Sequence, residues 1–142
     1  MIRKTIFAAL ALSLSATVVA APDSYQDAFE LNRAMYGKGH TFVWQGKEYS
    51  TDHPEEIEAA VEANAANAAA LIASAKAKNA EVAKLNFEWK LTRDIIKKAE
   101  AAAAKGEFRK ALNLAAQAKY HARMGIEQYH YAQANWHLSV PE

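Results

Sequence analysis

Apolar and polar positions alternate along this chain in patterns that change character several times. Residues 5–19 (TIFAALALSLSATVV) form one apolar or small-residue run behind the cationic start Met1-Ile2-Arg3-Lys4. From Ser24 the pattern predicts a short helix. Ser24 and Asp27 stand at capping-box spacing, Phe29, Ala34 and Met35 supply apolar content, and Gly37 and Gly39 close it. Two short aromatic and β-branched runs follow, Thr41–Trp44 and Lys47–Thr51, on either side of Gln45-Gly46. Such runs around an X-Gly pair predict a two-residue β-hairpin, and the period of two puts Phe42 and Trp44 on one face. A lone hairpin is not stable in water, so this aromatic face is expected to pack on the protein itself.

From Asp52 the pattern becomes helical. Asp52-His53-Pro54-Glu55-Glu56 combines an Asp cap, Pro in the first turn and early Glu, and no Gly or Pro then appears until Gly106. In 4-3 spacing one stripe reads Ile57, Val61, Asn64, Ala68, Leu71, Ala75, Lys78, Val82, Leu85, Trp89, Thr92, Ile96, Ala99, Ala103. An unbroken helix over 54–104 would be about 76 Å long at 1.5 Å per residue, beyond the ordinary range. A break near Lys84–Phe87, around Asn86, is therefore expected. Gly106 marks a tight antiparallel return, and a second seam follows: Phe108, Ala111, Ala115, Ala118, Ala122, Gly125, Tyr129, Ala132, Trp136. Its small middle residues let two backbones lie close, and its bulky ends should fix the register. The expected fold is all-α: a long alanine-rich antiparallel helical hairpin, coiled-coil-like, over residues 53–138, preceded by a short helix and small β-hairpin over 21–52.

Composition sharpens this picture. Of 142 residues 33 are Ala, and there are 5 Gly, 3 Pro and no Cys. Few turn residues exclude a many-stranded all-β fold, and the lack of Cys excludes disulfides, thiolate metal sites and covalent c-type haem attachment. The opening segment has the n-, h- and c-regions of a secretory signal peptide, with Val18-Val19-Ala20 placing small residues for cleavage after Ala20. It is short for a membrane span. The expected mature protein is periplasmic and carries no membrane span.

The formal net charge of +1 hides an asymmetry. Residues 21–62 hold nine acidic and three basic side chains, whereas residues 63–123 hold twelve basic and five acidic. Such polarity suggests docking to a partner or head-to-tail association. With an export signal, nucleic acid is not the expected partner of the basic half; an acidic protein patch or an anionic envelope surface is. No His pair at i,i+4, no HExxH, no nucleophile elbow and no phosphate loop occurs, so no catalytic residue, metal or cofactor is expected, and the protein reads as a non-enzyme. A Tyr/His-rich end (Tyr120, His121, Tyr129, His130, Tyr131, Trp136, His137) is read as a packed aromatic end or a protein contact.

One stretch resembles a known family. Glu88-Trp89-Lys90-Leu91-Thr92, then Ile96-Lys97-Lys98-Ala99, then Lys105-Gly106-Glu107-Phe108, Lys110-Ala111-Leu112 and Leu114-Ala115, with Gly125 and Gln128 closing, is similar to the SoxXA-binding proteins of the SoxK type. The resemblance spans about residues 85–130; Lys90-Leu91 and Tyr120-His121 depart from the pattern. It implies a small exported helical accessory protein docking on the c-type cytochrome complex that begins thiosulfate oxidation. The partner-binding candidates are Trp89, Arg93, Lys97, Arg109, Tyr120, Arg123, Tyr129, His130 and Trp136. The other reading is a structural or chaperone-like envelope protein whose alanine seam self-associates into a homo-oligomer.

Overall fold

The computed structural model describes residues 22–139, so the expected signal peptide and its cleavage point after Ala20 lie outside the described residues. The elements run α1 (Tyr25–Tyr36), β1 (Thr41–Trp44), β2 (Lys47–Ser50), α2 (Pro54–Ala59), α3 (Ala65–Lys84), α4 (Lys90–Ala104) and α5 (Phe108–Asn135), then a 3-10 turn at Trp136–Ser139. The chain is mainly helical with one small antiparallel sheet, as its pattern predicts.

Local chemistry explains the first elements. The Ser24 hydroxyl accepts the Asp27 amide at 3.1 Å, and the Gly37 amide returns to the Arg33 carbonyl. Gln45 and Gly46 both take positive φ, as the mirror-image hairpin turn requires, and this sets Phe42 opposite Tyr49 and Trp44 opposite Lys47. Phe42 is buried with Ala28 and Phe29 of α1, with Trp44 and Tyr49 packed against them. The hairpin's aromatic face is thus covered by α1, and Tyr25 closes the cluster with its ring 4.9 Å from that of Tyr49.

The chain over 54–104 breaks near Asn86 as expected and once more after Ala59, so a three-helix bundle stands where a long two-helix hairpin was expected. Residues 54–104 hold three helices. The first break, after Ala59, has a tertiary cause: the Arg109 guanidinium takes the freed carbonyls of Ala59 and Val61. Asn64 then caps α3 by accepting the Asn67 amide at 2.9 Å. The second break falls where the sequence places it. Asn86 adopts φ 60°, and the Phe87 amide reaches back to the Val82 carbonyl, a left-handed C-terminal cap that Asn tolerates better than most residues. Gly106 repeats the device after α4, with the Glu107 amide on the Ala102 carbonyl. The cap of α2 also moves by one residue. His53 occupies it, its amide bound by Glu56, while Asp52 accepts the Gly39 amide and the Ser50 hydroxyl instead.

Helices α3, α4 and α5 form an up-down-up bundle. Lys76 meets Glu100, so α4 returns along α3, and Trp89 meets Gln128, so α5 returns along α4. Gly125 then lies against Val82, which makes α3 and α5 parallel. Short α2 crosses the outside of α5, with Glu58 on Lys119 and Glu55 on Arg123. The core follows the predicted seams through Ala68, Leu71, Ala75, Ile96 and Ala99, and through Ala111, Ala115, Ala118 and Ala122. It departs from them at the ends. Ile57 and Val61 are exposed because the break after α2 shifts the phase of the stripe, and Trp136 is 65% exposed beyond the bundle. Phe108 is only partly buried at the rim; the large anchor is Leu112, fully buried among the seam alanines.

Candidate functional site

The nine partner-binding candidates do not converge on one surface. They fall into three places, and two of these are internal ties.

The first lies along the contact between α2 and α5. Arg123 grips Glu55, whose side chain is 4% exposed, through Nε at 2.7 Å and Nη2 at 3.2 Å, and also reaches Glu127 at 2.7 Å. Its guanidinium sits 5.3 Å over the Tyr120 ring. These carboxylates raise the Arg123 pKa further above its already high ordinary value. The other face of Tyr120 meets the His53 ring at 4.6 Å, and His53 in turn lies 5.2 Å from Phe29. Next to it Arg33 of α1 binds Glu56 in bidentate fashion, at 2.7 and 2.9 Å, and the Thr51 carbonyl at 2.9 Å. Burial alone would push the Glu56 carboxyl up, but the hydrogen bonds from Arg33 and the His53 amide outweigh it and hold the group below its ordinary value. Arg109, on the two carbonyls that end α2, completes the row. Arg109, Tyr120 and Arg123 therefore hold the acidic segment onto the bundle.

Part of the charge asymmetry is used inside the molecule. Two acidic residues of the front pair with the basic half within one molecule, Glu55 with Arg123 and Glu58 with Lys119, and Arg33 binds Glu56 locally.

The second place is the turn between α3 and α4. Glu88 accepts from Asn79 and from Arg93 in a short double contact, which holds the carboxyl below its ordinary value and raises that of Arg93. The indole of Trp89 donates to Gln128 at 3.0 Å and packs 5.1 Å from the His121 ring. The Phe87 ring meets Tyr129 edge-on at 5.4 Å. Gly125 lets the turn approach: a Cβ there would stand 2.7 Å from Val82 Cγ2 and 2.8 Å from the Phe87 carbonyl. Trp89 and Tyr129 thus stitch the turn to α5, while Arg93 closes the turn on itself through Glu88.

The third place is open. Lys97 lies exposed on α4, and His130 and Trp136 are exposed at the far end of α5. His130 adjoins the second tie, its ring 5.4 Å from that of Tyr129.

A cleft of about 720 Å3 separates α2 and the Lys38–Gly39 segment from α5, with Asn113 and Gln117 on its wall. Its ionic groups are mostly satisfied by one another, as with Arg33 and Glu56. Among the described residues no group of three His, Asp or Glu side chains is placed to hold a metal ion. Nor is any helix among them long and apolar enough to cross a membrane. The two half-buried imidazoles give the molecule a pH response. Burial holds both His53 and His121 below their ordinary value, and Arg33 and Arg123 push His53 the same way. The unfolded chain then takes up protons near pH ~6.5 before the folded one does. Stability is expected to be fully present above that pH and to fall as pH drops through it. Chemical-denaturation midpoints at pH 7.5 and 5.5 check this, and a variant lacking both imidazoles should show a flatter profile over that window.

Comparison of the chain with protein-family models, with curated proteins and with solved structures finds no match.

Sequence reasoning identified the charged residues but not their use. It missed Glu55, Glu56 and Arg33 as the counterparts, because partners 23 to 68 positions apart leave no spacing signal in a single sequence.

Proposed function

We propose that this protein is a non-catalytic periplasmic accessory protein that docks on a c-type cytochrome complex of thiosulfate oxidation. The observation that carries the reading is spatial. Glu88, Trp89, Gly125 and Gln128, far apart in sequence and all part of the SoxK-type resemblance, meet at one end of the bundle. They form a single clasp: the indole reaches the amide, and the glycine admits the Phe87 carbonyl. A family pattern that encodes one piece of architecture would unite such residues in this way. The ties of α2 to α5 add support from another direction, since they occupy Arg109, Lys119 and Arg123 and leave lysines of α4 for a partner.

The second reading, self-association through the alanine seam, has less to stand on. Ala111, Ala115, Ala118 and Ala122 are all buried inside the monomer, so a second copy would need a different surface.

The test is affinity capture. Tagged full-length chain, exported and processed in its own bacterium during growth on thiosulfate, is recovered with its partners and compared with a tagged unrelated periplasmic protein. Specific enrichment of a c-type cytochrome is expected; its absence from the captured material overturns the reading.

A further inference from the structure

Four of the seven lysines that the internal ties leave over belong to one helix and its C-terminal cap. The two faces of α4 are sharply divided. Thr92, Ile95, Ile96, Ala99 and Ala102 are buried, and Lys90, Asp94, Lys97, Lys98 and Lys105 are exposed on the opposite side. At 100° per residue these five outward positions fall within one strip, with Ala101 between them. Elsewhere in the described residues Arg33, Lys76, Lys78, Arg93, Lys110, Lys119 and Arg123 each have a carboxylate within salt-bridge distance, whereas the four lysines of this strip have none; the other lysines without one, Lys38, Lys47 and Lys84, stand singly on three other segments.

The geometry points to this outward face of α4 as the docking surface for a carboxylate-rich protein surface, and this inference names the docking face for the reading above. Three features select that occupant. Lys90, Lys97 or Lys98, and Lys105 recur every seven or eight residues, about 11 Å apart, over a strip of about 22 Å. That matches carboxylates spaced two turns apart on an acidic partner helix. Ala101 is the small residue among these charged positions. Leu91 is the one large apolar side chain beside it, so the strip lacks the apolar wedge with which an interfacial helix enters a bilayer. Asp94, in the middle, disfavours an anionic lipid surface and suits a protein face that offers one basic group of its own. Association through such a face is steered by charge and weakens with salt, because these groups stay in solvent. The basic residues of α5 take no part, since Arg109, Lys119 and Arg123 are already bound by the molecule itself.

The experiment uses the 15N-labelled mature chain titrated with a synthetic glutamate-rich helical peptide, read by amide chemical shifts at two salt concentrations. Shifts centred on Lys90, Lys97, Lys98 and Lys105, with affinity falling as salt rises, are expected. The double variant K97E/K98E should bind about tenfold more weakly or less still, while its thermal midpoint stays within the error of the parent, because both side chains are solvated. Shifts centred on α5, or equal binding by the double variant, overturn the inference. So does binding to phosphatidylglycerol vesicles in the absence of peptide binding. The capture experiment separates this inference from the wider reading. A cytochrome captured equally well by K97E/K98E refutes the α4 face and leaves the docking function standing. No cytochrome captured, with peptide shifts still on α4, refutes that function and leaves the face.

Discussion

Replacing Arg123 with Ala is expected to destabilise the fold by about 3 kcal/mol or more, the range for removing one partner of a buried ion pair. The reason lies with the residue left behind. Glu55 is 3% exposed, and both its carboxylate oxygens depend on the Arg123 guanidinium. Without it a carboxylate is stranded against α5 with no donor and little water. Denaturant unfolding measures the loss. A pair variant, Glu55→Gln with Arg123→Met, should recover much of it, because neutral groups of similar size have no charge to strand. A pair variant as unstable as R123A would show that packing of the guanidinium over Tyr120 is what matters.

Gly125→Val is expected to cost about 3 kcal/mol, at the upper end for overpacking a close contact. A Cβ would already meet Val82 at 2.7 Å and the Phe87 carbonyl at 2.8 Å, and a backbone carbonyl within a capped turn cannot swing aside as a side-chain tip can. The branched side chain would prise α5 from both α3 and the turn, and the Trp89–Gln128 hydrogen bond would be lost with the separation. At about 4 °C per kcal/mol, where the ranges for smaller and larger domains meet, the melting temperature should fall by about 10 °C. Gln133→Val, on the exposed side of the same helix, supplies the control and should shift it by no more than a surface substitution does. Equal effects from the two changes would refute the close approach at Gly125.

Elements governed by neighbours in sequence were legible in advance. Ser24 with Asp27, Gly37, the Gln45-Gly46 pair, Asn86 and Gly106 each act on the residues next to them, and each ends or starts an element where its chemistry says. The burial of Ala111, Ala115, Ala118 and Ala122 was legible from spacing alone. The break after Ala59 was not. No Gly or Pro marks it, and the carbonyls it frees are taken by Arg109, some fifty positions later. Asn64 and Asn67 did carry a start signal for α3, hidden by the helix-forming alanines around them. The internal contacts of the candidate residues were hidden for the same reason. A sequence shows that Arg109 and Arg123 are charged, yet only the fold shows that Glu55 and the end of α2 already claim them. Lys97, a partner-binding candidate, is exposed, and Lys90, Lys98 and Lys105 share its face.

The contact between Glu55 and Arg123 closes a loop of 68 residues, whereas the turns joining α3, α4 and α5 connect helices that follow directly in the chain. Closing the longer loop costs more entropy than forming any turn of the bundle. Assembly therefore has a natural order in which the three long helices collapse first and α2 settles on α5 last. The charges along that contact act late, as a lock on a structure already built. The reverse path begins there as well, with α2 lifting away while the alanine seams remain closed.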